Sequence, residues 1–257
     1  MSKVEPMTDS YRRRFEDASE AVAYDHDQYS AVGYPALLWE IERQVLTDLV
    51  RDFRQTHPRL SYLDFACGTG RVLSFIENMV DDSTGVEISE AMLALAGDKA
   101  QRSKLVLLDI TSDDSLLEDQ YDLITCFRFI LNAEPQLREE ALSRLVTRLR
   151  DGTSRLIFNN HAHLWSYKIA SWPSARADRR RRADSSSGNF LTHAEVERLA
   201  TRVGLVLERR IGYGYFSAKA LRLVTYGRLL PLERGLAGLR GLQNFGANQI
   251  YVARRAE

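Results

Sequence analysis

The sequence predicts an α/β fold: a doubly wound, mostly parallel, seven-stranded sheet with helices on both faces and an N-terminal helical cap. Three observations carry this expectation. From residue 61 onward, short apolar runs alternate with segments of helical period, the pattern of strand–helix–strand units that pack a parallel sheet between two helical layers. Several of the strand-like runs end in glycine or a carboxylate. The chain has 257 residues, 44% of them hydrophobic and 27% charged, which suits one large domain with a substantial core.

The elements follow in order. Ser10 to Phe53 reads as helical, most clearly from Pro35, which brings Leu38, Ile41, Val45, Leu49 and Phe53 near one face. Ser61 to Ala66 is a first strand, followed by a tight glycine turn and a helix carrying Val72, Phe75, Ile76 and Met79. Gly85 to Ile88 ends a second strand, and Ser89 caps a helix with Met92, Leu93, Leu95 and Ala96. Lys104 to Leu108 and Tyr121 to Arg128 are the third and fourth strands. Pro135 opens a helix in which Leu137, Ala141, Leu145 and Leu149 recur, and Gly152 is placed as its left-handed terminator. Arg155 to Asn159 is the fifth strand. Thr192 and Glu195 form a capping box, Gly204 stops the helix they start, and Leu205 to Ile211 and Gln249 to Ala253 complete the sheet. Ala220 to Leu242 reads as one amphipathic surface helix studded with arginine. This divides the chain into a cap or lid over 1–57 and an α/β domain over 58–257, with insertions at 164–190 and 217–244.

Composition narrows the function classes. Thirty-five basic side chains balance 35 acidic ones, so no whole-molecule field draws the protein to nucleic acid, and any such affinity is local. Two cysteines, Cys67 and Cys126, argue against a disulfide framework or a four-cysteine zinc site and for a reducing cytoplasm. Met1 to Arg14 lacks an apolar leader core, and no run reaches the length of a membrane span. Peripheral contact through the arginine-bearing segment 220–242 stays open.

Ligands of such sheets bind outside the carboxyl ends of the strands. The first strand ends in Asp64-Phe65-Ala66-Cys67-Gly68-Thr69-Gly70-Arg71, where glycines let backbone approach a ligand. Glu87 ends the second strand nineteen residues beyond Gly68, suitably placed for ribose hydroxyls. Together they favour an adenosine-containing ligand. The third glycine of a dinucleotide fingerprint is replaced by Leu73, and no Gly-Lys-Ser/Thr follows, which weakens pyrophosphate and ATP readings.

These residues resemble the class I S-adenosylmethionine-dependent methyltransferases, whose fold is Rossmann-like. Leu63 to Gly70 is similar to the first motif, Gly85 to Ser89 with Met92 to the second, Leu108-Asp109-Ile110 to the third, Tyr121 to Ile124 to the fourth, and Leu149 to Gly152 to the turn before the fifth strand. Ala66 stands where the family usually has glycine. The resemblance implies S-adenosylmethionine as cofactor. Asp64 and the backbone of Ala66, Cys67, Gly68, Thr69 and Gly70 would hold its amino-acid part and Glu87 its ribose. Ile88 and Met92 would line the adenine, Asp109 would bind its amine, Ile110 would flank it, and Phe127 would border the transfer cavity.

The acceptor is expected to be a small molecule, a sugar or other polar metabolite, methylated on oxygen or nitrogen. Arg128, Asn132, Asn160 and the N-terminal Tyr24, Tyr29 and Tyr34 are the substrate-side candidates, and His161 and His163, after the fifth strand, are the candidate general bases. No metal is called for. Arg176 and Arg179 to Arg182 lie in the insertion without interleaved aromatics, so a solvated loop is favoured over an RNA site. A nucleotide-binding oxidoreductase and a catalytically silent cofactor-binding module stay open at this point.

Overall fold

The computed structural model describes residues 33–112, 117, 120–161, 165–167 and 191–257. Seven strands, β1 (Ser61–Phe65), β2 (Asp82–Glu87), β3 (Lys104–Leu107), β4 (Leu123–Cys126), β5 (Arg155–His161), β6 (Leu205–Tyr213) and β7 (Asn248–Arg255), form one sheet in the order β3-β2-β1-β4-β5-β7-β6. All pairings are parallel except those of β7, which runs antiparallel to both β5 and β6. The order reverses between β1 and β4, which opens a crevice at their carboxyl ends.

Strand alternation divides the core into two layers. Leu63, Phe65, Ile124 and Cys126 face helices α4 (Pro135–Thr147) and α5 (His193–Arg202). Tyr62, Leu123, Phe127 and Ile157 face α1 (Tyr34–Arg54) and α2 (Arg71–Ile76), and Leu93 of α3 (Glu90–Gly97) packs on the same side. The helix α6 (Tyr226–Ala237) lies against α1 and β6.

Local signals hold at most helix ends. Pro35 lies in the first turn of α1, the Ser89 hydroxyl accepts the Met92 N–H, and Thr192 and Glu195 make both bonds of the capping box. Gly204 has φ 78°. Three expectations need correction. The helix α4 stops at Thr147 because Leu149 pairs with Tyr121 at the base of β4, so sheet pairing outcompetes one more helical turn. Gly152 is not left-handed among the positive-φ residues; it belongs to the turn that Asp151 stabilises by accepting from Thr153. Segment 220–242 is not one helix but two 3₁₀ turns (Ala218–Arg222 and Arg240–Phe245) flanking α6, broken near Gly238, a poor helix former.

Two non-glycine residues have left-handed backbone, Ala66 (φ 54°) and Arg128 (φ 61°), after β1 and β4 respectively. Both flank the crevice where the strand order reverses. Such a conformation costs a residue with a Cβ about 1–2 kcal/mol, while glycine loses roughly 0.5–1 kcal/mol more entropy on folding. Ala66→Gly should therefore raise stability by up to about 1 kcal/mol in urea titration. Thr192→Ala should lower it by about 1 kcal/mol through loss of the cap, with a melting temperature lower by roughly 2–4 °C in calorimetry.

Candidate active site

The two strand-end loops are tied together by one carboxylate. Glu87 Oε2 accepts the Gly68 N–H at 2.9 Å, and Oε1 accepts those of Ile88 and Ser89 at 2.9 and 3.0 Å. Glu87 is buried, which pushes its pKa up, while the amides of Ser89, Gly68 and Ile88 draw it back. The turn from Ala66 to Gly70 is thereby held against the start of α3. It needs glycine at Gly70, which has φ 79° and where a Cβ would stand 3.0 Å from Ala96 of α3. Lys99 Nζ secures the turn from above by donating to the Thr69 carbonyl at 3.2 Å.

Asp64 points into the α1/α2 layer beside its β4 neighbour. Thr125 donates to Asp64 Oδ1 at 2.6 Å and itself lies 2.5 Å from the Tyr62 hydroxyl. Asp64 Oδ2 is buried with no well-formed hydrogen bond, although the Leu73 amide lies close enough to lower its pKa. Burial dominates and raises the carboxyl to about 7; Thr125 and Leu73 oppose the rise and the charge of Glu87 adds to it. Two buried carboxylates that disfavour each other's charge, one with an unspent oxygen, suit a ligand that brings positive charge.

Leu73 explains the missing third glycine. It is fully buried, and its Cδ2 lies 2.4 Å from where a Cβ on Gly85 would stand. Close approach of α2 to the sheet is achieved by the glycine in β2, leaving a leucine where a pyrophosphate-binding helix keeps its own.

The remaining cofactor-side residues fall around this turn. Met92 is buried, its sulfur 3.7 Å from a Cβ position on Gly68, while Ile88 stays 37% exposed. Asp109 Oδ1 accepts from Thr111 N and Oγ1, making a local turn. Ile110 is packed in the α4/α5 layer, so the face it offers a ligand is backbone. Cys67 and Phe127 are buried in the opposite layer.

On the β4 side, Arg128 is pinned in its left-handed conformation from two directions. Its N–H donates to Asn159 Oδ1 at 2.6 Å, and its carbonyl accepts from the Asn132 amide. Asn160 is buried and donates to the Leu191 carbonyl at 2.8 Å, which ties β5 to the start of α5. His161 is the last residue of β5, opposite Asn248, which in turn opposes Tyr213. The side chain of His161, together with His163, Tyr24, Tyr29 and the arginines of the insertion, lies outside the described residues. His57 reaches Thr153 at the far end of the sheet, and His193 stacks on Tyr251. Asp122 is also remote from the crevice: it accepts from Ser61 and pairs with Arg150 at 2.7 Å.

Several polar contacts at this end had no sequence signal because their partners are far apart in the chain. Tyr213 donates to the buried Glu42 of α1 at 2.6 Å, and burial together with that carboxylate holds the phenol's ionisation well above its ordinary range. Tyr34 and Tyr167 share a 2.8 Å hydrogen bond across 133 residues. Gly214, with φ 71°, makes room for Tyr34 and Asn248: a Cβ there would meet Asn248 Nδ2 at 2.7 Å and the Tyr34 hydroxyl at 3.2 Å.

Comparison with known proteins agrees with this arrangement. Residues 63–152 match the family described as methyltransferase domain. No curated protein sequence is significantly similar to the chain. Among solved structures, magnesium protoporphyrin IX methyltransferase from Synechocystis PCC 6803 with bound SAH aligns over 95% of this chain and 98% of its own, with 14% identity and a TM-score of 0.63. An S-adenosylmethionine-dependent methyltransferase from Clostridium acetobutylicum ATCC 824 aligns over 94% and 100%, with 13% identity and a TM-score of 0.60. The plantazolicin methyltransferase BpumL, in complex with a pentazolic desmethylPZN analog and SAH, aligns over 96% and 95%, with 18% identity and a TM-score of 0.60. At these identities the likeness to each structure is one of fold. The matched segment, the strand order and the glycine turn clamped by Glu87 agree in giving the chain the fold of these methyltransferases, with residues 63–152 similar to a methyltransferase domain.

Proposed function

We propose that the chain transfers a methyl group to an oxygen or nitrogen of a small molecule, a sugar or other polar metabolite, bound at the carboxyl ends of β4, β5 and β6. The observation that carries this reading is the pair of buried carboxylates, Asp64 and Glu87, at neighbouring strand ends around a glycine turn. S-adenosylmethionine supplies a methyl already activated by a sulfonium, so the protein's share is alignment and exclusion of water. Asp64, with the backbone of Ala66 to Gly70, would take the amino-acid part, its free Oδ2 facing the ammonium. Glu87 uses three acceptor positions of about four and would turn toward the ribose hydroxyls. Ile88 and Met92 would frame the adenine, with Asp109 on its amine, the backbone of Ile110 along its edge and Phe127 closing the transfer side.

Acceptor positioning would fall to Arg128 and Asn132, with Asn160 holding the end of β5 in place and Tyr24 and Tyr29 covering the site. The left-handed backbone of Arg128, fixed by two asparagines, supports this: strained backbone persists where the surroundings over-determine it, often at functional sites. His161 or His163 would accept the proton of a hydroxyl acceptor.

Three outcomes test this reading. Glu87→Ala should weaken both S-adenosylmethionine and S-adenosylhomocysteine by about 30-fold in calorimetry, the value of one hydrogen bond to a charged group; unchanged affinity would remove ribose recognition from Glu87. His161→Ala or His163→Ala should lower turnover while cofactor affinity holds, and wild-type rates in both would exclude either as base. Asp64, raised to about 7 without ligand, is mostly protonated at pH 6, so capture of an ammonium should release up to one proton there. Calorimetry in buffers of different ionisation enthalpy reads that release, and Asp64→Asn should abolish it. The same shift sets a stability slope. Because the folded carboxyl is raised above its ordinary 3.8, its contribution is full below about pH 4 and lost as pH rises through 7. Asp64→Asn should gain on the wild type by up to about 3 kcal/mol between pH 5 and 8 in urea titration.

A further inference from the structure

The zero formal charge of the chain conceals an uneven distribution. Residues 217–246 contain Lys219, Arg222, Arg228, Arg234 and Arg240 against one acid, Glu233. Five basic against one acidic side chain makes this segment +4 and the remainder of the chain −4. Glu233 does not offset the cations at the surface. It is fully buried, and its two oxygens accept the N–H groups of Tyr215 and Phe216 at 3.0 and 2.8 Å. Arg234 leans on Glu40 at 3.4 Å; among the described residues, no carboxylate forms an ion pair with Lys219, Arg228 or Arg240.

Large apolar side chains are exposed between these cations. Leu223 is 88% exposed, Leu232 55%, Leu239 52% and Phe245 51%, four of the nine exposed large hydrophobics among the described residues. A single exposed leucine means little, but four within thirty residues do not follow from chance surface composition. On α6, Arg228 and Leu232 are four residues apart and both exposed, so they are neighbours on one face, while Leu229 and Glu233, one residue on, are buried.

The segment is rigidly attached. The Gln243 carbonyl lies 2.4 Å from a Cβ position on Gly212, and Gly246 packs equally closely on Tyr213. Glu233 clamps the chain just after β6. The whole excursion is therefore mounted at the carboxyl edge of the sheet, the edge that carries Glu87 and Arg128.

We propose that residues 217–246 form a docking surface for an anionic lipid membrane, with Leu223, Leu232, Leu239 and Phe245 entering the head-group boundary and Lys219, Arg228 and Arg240 facing lipid phosphates. Interfacial binding requires this combination of apolar side chains and uncompensated cations. Nucleic acid matches less well, since the apolar members are three leucines and one phenylalanine, not a series of stacking platforms. A membrane on this edge would lie beside the acceptor end of the site, which goes beyond the assignment of methyl transfer and does not depend on it.

Co-sedimentation of the full chain with vesicles tests the surface. Binding is expected to phosphatidylcholine vesicles containing about a third phosphatidylglycerol, not to phosphatidylcholine alone, and should weaken in high salt. At about fivefold per cation, Arg228→Ala with Arg240→Ala should weaken it roughly 25-fold. Leu232→Ser with Leu239→Ser should weaken it at least tenfold. Both pairs should keep the wild-type circular dichroism spectrum and affinity for S-adenosylhomocysteine. Absence of binding to anionic vesicles, equal binding to both vesicle types, an unaffected leucine pair, or tighter binding to single-stranded RNA than to vesicles would each overturn the proposal. A wild-type chain that binds S-adenosylhomocysteine but not anionic vesicles would fail this surface alone, whereas one that binds vesicles but not S-adenosylhomocysteine would fail the methyltransferase reading alone.

Discussion

The structure depends most on the three backbone N–H groups that converge on Glu87. One of them belongs to the turn after β1 and two to the turn after β2, so a single buried carboxylate holds two loops in mutual register. Hydrogen bonds to a charged group are worth about 1.5–3 kcal/mol each, and leaving such a group without them would cost more. Glycine follows from this demand. Gly68 and Gly70 supply left-handed backbone, and Gly70 lets α3 approach to a distance that a Cβ would obstruct.

The crevice is built from groups under constraint. Asp64 is buried beside Tyr62 and Thr125, with its pKa raised by desolvation and by Glu87. Ala66 and Arg128 hold left-handed backbone on either side of the point where strand order reverses. Burial, charge repulsion and backbone strain thus concentrate at one place, while the rest of the sheet follows ordinary alternation. Toward β6, the buried Tyr213–Glu42 contact ties α1 to the carboxyl end of the sheet, and the Tyr34–Tyr167 pair joins the start of α1 to the chain beyond β5.

Much of this was legible in the chain. Alternation of apolar runs with helical segments reports a two-layered parallel sheet because the strands must be apolar on both faces. Ser89, Thr192 and Gly204 mark helix ends through chemistry confined to three or four residues. Asp64, Gly68, Gly70 and Glu87 were visible because the loops they serve are short and contiguous. What escaped involved competition or distance. Leu149 fits the α4 period yet pairs with Tyr121, since a bridge to β4 satisfies more backbone there than another helical turn. Thr125, Asn159 and Glu42 carry no motif; their partners lie 61, 31 and 171 residues away.

By itself, then, the sequence determined the seven strands, the glycine turn and the carboxylate that faces it, because each is specified by neighbours along the chain. Tertiary structure alone decided the reversal of β7, the pinning of Arg128, the substitution of Gly85 for a missing third glycine, and the burial of Glu233, which removes the one acid of its segment from the cationic surface. The physical reason is common to all four. Burial and close contact depend on which elements meet across the sheet, and no local pattern records the distance between side chains that chain folding brings together.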